Sequence, residues 1–305
     1  MSQRKLRSLV LAIGAVTVFG ACGGGAGGNP TTAAKEHITV GGFNFSESSI
    51  LANMYGKALQ SKGYQVSFKL NLGNREVVAP ALEKGDIDLY PGYAATELEF
   101  FNQKKGEASG DPQANVDKLN TYLKPKNLQA LTPSKANDEN AFAVTKATAQ
   151  KYNLSKLSDL ASVAGQLTLG GPPECPTRPY CALGLQNTYG IRFKDFKALD
   201  AGGPLTKGAL EKGDIDVGLV FSSDGAVVAK NFVVLQDDKH LEAADNIVPL
   251  IRTKVANSEV VKTLNDIDAA LTTDDLTAMN KSADIDKQDP DALASNWLKQ
   301  HGFTK

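Results

Sequence analysis

The sequence is poor in the residues that metal-binding and nucleic-acid-binding proteins rely on. Its 305 residues include three cysteines, three histidines (His37, His240 and His301) and one tryptophan. A structural zinc site gathers four Cys or His ligands at close spacing; three cysteines and three scattered histidines exclude zinc ribbons. So few cysteines also exclude small scaffolds dense in disulfides. Charge of one sign is missing too, with 33 Lys and Arg against 34 Asp and Glu. No basic block follows the first seven residues, so the electrostatic footprint of a nucleic-acid binder is absent. The best long apolar run, Leu9 to Phe19, is shorter than the roughly 20 residues that span a bilayer, which excludes a polytopic membrane protein. No Gly-x-Ser-x-Gly, His-Glu-x-x-His or phosphate loop occurs, so no catalytic centre, cofactor or metal is expected. The acid pairs Asp86/Asp88 and Asp214/Asp216 are spaced to share one face of a strand. Each follows a helix-stop glycine, where Asp is a usual turn residue, and catalysis is not expected of them.

What is present begins with an address. Arg4, Lys5 and Arg7 precede the Leu9–Phe19 run, and the small residues Gly20 and Ala21 lead to Cys22. This is the pattern of a secretory signal over residues 1–21. A Cys directly after small residues resembles the bacterial lipobox, with Phe19 where Leu is usual, and implies cleavage before Cys22 and a lipid on its sulfur. The alternative is a plain secreted protein in which Cys22 has no special role. Residues 23–28 read Gly-Gly-Gly-Ala-Gly-Gly, a composition that behaves as a flexible tether. Residues 22–36 are therefore expected to hang a soluble body from a membrane face outside the cytoplasm.

The body announces itself as two related halves. Ala81-Leu82-Glu83-Lys84-Gly85-Asp86-Ile87-Asp88 recurs residue for residue at Ala209 to Asp216. Ala-Leu-Glu-Lys closes a helix with a cation in its last turn, where the dipole favours it. Glycine takes the left-handed position that follows. Asp-Ile-Asp then opens a strand running toward Tyr93 in one half and Phe221 in the other. Around the octets, apolar periodicity predicts strands at Ile38–Val40, Tyr64–Leu70, Ala141–Thr145, Gln166–Leu169, Phe196–Leu199, Val233–Leu235 and Ile247–Ile251. Helices are expected over Glu47–Ser61 with Ser46 as N-cap, Val77–Lys84, Val116–Leu123 and Cys181–Tyr189, and throughout the segment from Ser258. The alternation implies an α/β fold. We expect two hinge-linked lobes, each a central mixed sheet flanked by helices: residues 37–139 with 244–305, and residues 140–243. In such sheets ligands gather at the carboxyl ends of strands, so Tyr93 and Phe221 should face one interlobe cleft.

Gly41-Gly42-Phe43-Asn44-Phe45-Ser46-Glu47, Ile50-Leu51-Ala52, Leu70-Asn71-Leu72-Gly73 and Ala81 through Tyr93 together resemble the substrate-binding proteins of osmoprotectant ABC importers. These are the ProX/OpuAC-type binders of glycine betaine, choline, carnitine and related solutes. Gly171-Pro172-Pro173-Glu174, Arg178-Pro179, Ser223-Asp224-Gly225 and Leu235 to Lys239 continue the likeness, which covers about residues 37–303. It implies a two-lobed periplasmic-binding fold of type II, no enzymatic activity, a monomer, and a membrane permease as partner. A quaternary ammonium has no N–H to donate, so ring faces recognise it by cation–π attraction, and an arginine takes a carboxylate on the same ligand. Carried across, the resemblance places Tyr93 and Thr96 in the ligand site and Arg178 on the carboxylate. Phe221 and Asn140 stand where tyrosines are usual, Asp245 stands near another, and Phe43 occupies a position where Lys is common. Asn44 lies in the same run. Gly92, Ala94 and Ala95 depart from the usual Glu-Tyr-Thr-Gly-Thr. Each aromatic alone also reads as core, and Asn140 and Asp245 alone also read as surface residues. With these replacements a flat or hydroxylated solute remains an alternative ligand; a secreted enzyme or a receptor partner on the same scaffold remains an alternative function.

Cys175 and Cys181 flank Arg178. Outside the cytoplasm such a pair is expected to form a disulfide that holds the arginine in place; two reduced, buried thiols are the alternative.

Overall fold

The computed structural model describes residues 35–305; the expected signal, Cys22 and the Gly-rich run lie outside the described residues. Among the described residues, ten strands form two five-stranded sheets. The strands are β1 (His37–Gly41), β2 (Gln65–Lys69), β3 (Leu89–Tyr93), β4 (Leu128–Ala130), β5 (Asn140–Thr145), β6 (Thr168–Gly171), β7 (Asp195–Ala198), β8 (Val217–Phe221), β9 (Phe232–Leu235) and β10 (Ile247–Arg252). The first sheet has the order β2-β1-β3-β10-β4 and the second β7-β6-β8-β5-β9. In each, the first three strands are parallel, and the fourth, β10 or β5, runs antiparallel to both neighbours. The strict βαβ alternation read from the sequence therefore holds for three strands per sheet. The antiparallel strand is in each case the one by which the chain arrives from the other sheet.

The duplicated octet explains how the sheets come to match. Gly85 and Gly213 are left-handed, with φ of 85° and 75°, and end the helices Arg75–Lys84 and Pro204–Lys212. A side chain at either would be strained. The second acid of each octet then docks on the neighbouring strand. Asp88 Oδ2 accepts the Thr39 N–H at 3.0 Å while its own N–H donates to Thr39 O at 2.7 Å. Asp216 does the same to Thr168, at 2.8 and 3.0 Å. These aspartates register strand against strand, which is a structural use of the carboxyls. Ile87 and Ile215, between the acids, are fully buried.

Helix Ser46–Ser61 follows β1 and is buried on nearly every side, with Ile50, Leu51, Met54, Tyr55 and Leu59 wholly enclosed. Truncating one of these enclosed apolar side chains to Ala would cost about 2–5 kcal/mol. Phe45 is its N-cap and Ser46 its first residue, so the expected Ser46 cap does not form. The hydroxyl used is that of Ser48, which accepts the Phe43 N–H at 2.8 Å and turns the chain back beneath the helix. The segment from Ser258 divides into helices Ser258–Ala270, Thr273–Asp284 and Pro290–Gln300. Strand β4 and the helix Ala94–Phe101 were not foreseen: β4 is three residues long, and the helix starts directly where β3 ends.

Candidate functional site

The carboxyl ends of β3 and β8 meet, with the loop after β1, at a narrow cavity of about 50 Å³, partly open to solvent. All eight residues singled out in the sequence, Phe43, Asn44, Tyr93, Thr96, Asn140, Arg178, Phe221 and Asp245, line it. The lining also includes Phe45, Arg75, Asp138, Glu174 and Tyr180, which sequence reasoning did not select.

Ring faces run across the cavity from one sheet to the other. Phe43 stacks on Phe45 with centroids 5.6 Å apart and lies 6.2 Å from Tyr93. Phe45 lies 5.7 Å from Phe221 of the second sheet. Phe45 is thus the keystone of the aromatic row, and it sat unremarked inside the motif around Phe43. The Arg75 guanidinium covers the Phe43 ring at 5.6 Å.

Charge is distributed unevenly. Arg75 is buried; its Nε donates to Glu97 Oε1 at 2.8 Å and its Nη2 to Thr96 Oγ1 at 2.7 Å. Burial works against its charge, but Glu97 more than offsets this and the guanidinium stays charged. Glu97 in turn accepts the Tyr90 hydroxyl at 2.9 Å. Arg178 is paired as well: its Nη2 lies 3.0 Å from Glu76 and 3.0 Å from Glu174. Burial and the nearby Arg75 lower its pKa, while Glu174 and Glu76 pull the other way.

Asp245 and Asp138 form no ion pair with a Lys or Arg among the described residues, although Arg75 reaches Asp245 through the shared Thr96 hydroxyl. Asp245 is 4% exposed, and its Oδ1 accepts the N–H groups of Ala95 and Thr96 at 2.9 and 3.0 Å. It caps the helix Ala94–Phe101 from outside the helix's own sequence. Burial nevertheless pushes its carboxyl up to about 7, against the downward pull of Thr96 and Arg75. Asp138 accepts the Ser223 N–H at 2.9 Å through Oδ1. Burial, then the neighbouring Glu47, hold it well above the ordinary carboxyl range. Glu47 accepts the Tyr93 hydroxyl at 2.7 Å. Burial and this acid raise the Tyr93 phenol well above its ordinary value, so it stays a donor. Asp245 and Asn140 are thus not surface residues. Asn140 is half-buried and donates to Tyr180 O at 3.1 Å.

The two sheets are tied together around the cavity. Cys175 and Cys181 form a disulfide, and the loop it closes, with Glu174 just before it, makes three contacts to the first-sheet side. Arg178 meets Glu76, Asn74 donates to Glu174 Oε2 at 2.8 Å, and Lys104 donates to Thr177 Oγ1 at 2.9 Å. On the other flank Ser223 donates to Glu47 Oε2 at 2.7 Å and Lys207 reaches Asp284 at 3.1 Å. These bonds join the sides of the two sheets around the cavity. Among the described residues, no group of His, Cys, Asp and Glu is placed to hold a metal ion.

Residues 36–300 match the model of the substrate-binding domain of the ABC-type glycine betaine transport system. The chain belongs to this family. It is 27% identical to a glycine-betaine-binding protein of Pseudomonas aeruginosa, over 98% of this chain and 95% of that one. It is 26% identical to the glycine betaine-binding protein YehZ of Escherichia coli, over 89% and 93%. A solved structure described as a glycine betaine/carnitine/choline ABC transporter superposes with a TM-score of 0.67 at 25% identity, covering 88% of this chain and 99% of that one. The architecture is the two-lobed periplasmic-binding fold of type II, as the resemblance implied. Proteins of this family are extracytoplasmic solute-binding components of importers and not enzymes.

Proposed function

We propose that this chain captures an osmoprotectant of the glycine betaine/choline class between its lobes and delivers it, unchanged, to the permease of an ABC importer. The observation that carries this reading is the row of ring faces, Phe43, Phe45, Tyr93 and Phe221, contributed from both sheets to one cavity. Rings attract a methylated ammonium by about 0.5–2 kcal/mol per contact, and rings from both sides reward closure. A ligand shifts a lobe equilibrium only by its differential affinity for the closed state, so a site split between lobes is what couples capture to docking. Phe43, Asn44, Tyr93, Thr96, Asn140, Arg178, Phe221 and Asp245 are the proposed ligand residues. Residues 37–139 with 244–305 form one lobe and 140–243 the other. The chain acts as a monomer, held to the outer face of the membrane by a lipid on Cys22, and performs no chemistry. Calorimetric titration with glycine betaine, choline and carnitine tests this: at least one should bind and be recovered intact. Silence toward all three would remove the ligand class.

A further inference from the structure

The acids in the cavity lack what a fully methylated ammonium cannot supply. Asp138 and Asp245, 2% and 4% exposed, both line the cavity. Each uses one oxygen on backbone N–H groups. The Oδ2 of Asp138 is buried without a hydrogen-bond partner, and the Oδ2 of Asp245 accepts no hydrogen bond among the described residues. No Lys or Arg among the described residues forms an ion pair with Asp138, Asp245 or Glu47, whereas Arg75 and Arg178 are each already matched by glutamates. A buried carboxylate without donor or counter-charge is costly. The cavity therefore offers carboxyl oxygens that no protein donor fills beside ring faces, and a bound cation would favour their ionised form. A trimethylammonium balances the charge and stacks on the rings, but leaves the acceptors empty. An ammonium with one N–H also fills one of these acceptors, and its charge-assisted bond to a carboxylate is about twice as strong as a neutral one.

We propose that this site recognises its cation through Asp138 and Asp245 as well as through the rings, and that it prefers an ammonium carrying at least one N–H to the fully methylated counterpart. This rests on the reading of the cavity as the ligand site. It departs from recognition by ring faces alone, in which each lost methyl weakens binding. The rings set the size of the headgroup, and the two aspartates count its donors. Arg178, which also lines the cavity, keeps guanidinium donors for a hydroxyl or carboxylate oxygen on the remainder of the ligand.

Matched pairs isolate the N–H. The full chain is titrated calorimetrically at pH 7.5 with glycine betaine against dimethylglycine, and with choline against N,N-dimethylethanolamine, whose ammonium is protonated there. Within each pair the molecules differ by one methyl. The N–H member of a bound pair should bind about tenfold tighter, and Asp245→Asn should narrow the gap. An N–H member that binds equally or more weakly overturns this inference and leaves the proposed function standing. Silence toward all four overturns the inference and counts equally against the proposed ligand class.

Discussion

Asp245→Asn should make the ligand-free protein more stable, by an amount that depends on pH in a defined direction. An unfolded Asp titrates near 3.8, whereas burial pushes Asp245 up to about 7 in the fold. Each tenfold change in proton affinity corresponds to about 1.4 kcal/mol, so ionising Asp245 costs the native state about 4 kcal/mol above pH 7. A raised folded pKa means that the native form binds the proton more tightly than the unfolded chain. The stability linked to that proton is full below pH 4, falls as pH rises, and is gone above about 7. The charged and titratable groups facing Asp245 are Arg75 and Glu97, Glu242, and the phenols of Tyr93 and Tyr180. Arg75 is held by Glu97 and can relax toward the new amide only slightly. Asparagine keeps an oxygen for the Ala95 and Thr96 N–H groups, bonded at 2.9 and 3.0 Å in the parent, and removes the charge. The variant should therefore melt at the same temperature as the parent near pH 4 and about 8 °C higher at pH 8, at roughly 2 °C per kcal/mol for a chain of this size. Scanning calorimetry of the ligand-free protein from pH 4 to 8.5 measures this. A difference that does not change with pH, or a variant less stable throughout, would refute the idea that Asp245 is an unbalanced buried carboxyl.

Three further outcomes are expected. Glu76→Gln removes one acid from Arg178 in a pair whose Glu76 side chain is 41% exposed. A pair that open contributes about 0–1 kcal/mol, so ligand affinity should fall only a few-fold and the ligand-free radius of gyration should rise slightly; an unchanged radius and affinity would show that the pair does not latch the lobes. Replacing Cys175 and Cys181 together by Ser should lower stability in urea by about 2 kcal/mol, the closure entropy of so short a loop, and should weaken ligand binding as the arginine loop loosens. Free thiols found by alkylation and intact mass in the secreted protein would contradict the disulfide. Gly213→Ala, at φ 75° with open space around it, should cost about 1 kcal/mol. Gly85→Ala should cost more, because its new Cβ would meet Arg252 Nη1 at 2.0 Å; equal losses in chemical denaturation would show that the arginine moves aside freely.

Much of the scaffold was legible in adjacent residues. The octet at Ala81 and Ala209 announced two equivalent halves because a helix stop, a left-handed glycine and a strand start are all local events. Its repetition was enough to aim Tyr93 and Phe221 at one place, since residues that follow matching strands leave matching sheets at the same end. The Cys175–Cys181 bond was legible from spacing and compartment. The charge of the site, by contrast, emerges only when the chain has folded. Arg178 read as the residue for a ligand carboxylate and Arg75 was not singled out; only the fold brings Glu76 and Glu174 against the first and Glu97 against the second. Asp245, taken alone, read as a surface residue until it is seen buried on the Ala94–Phe101 helix start. Glu47 and Asp138 are 91 positions apart in the chain, and their mutual repulsion exists only once β5 is delivered to the rim of the first sheet's helix. Local backbone preferences act over a few residues and survive as pattern. The energy of a buried charge depends on every neighbour within several ångströms, and those neighbours come from segments that no sequence window holds together.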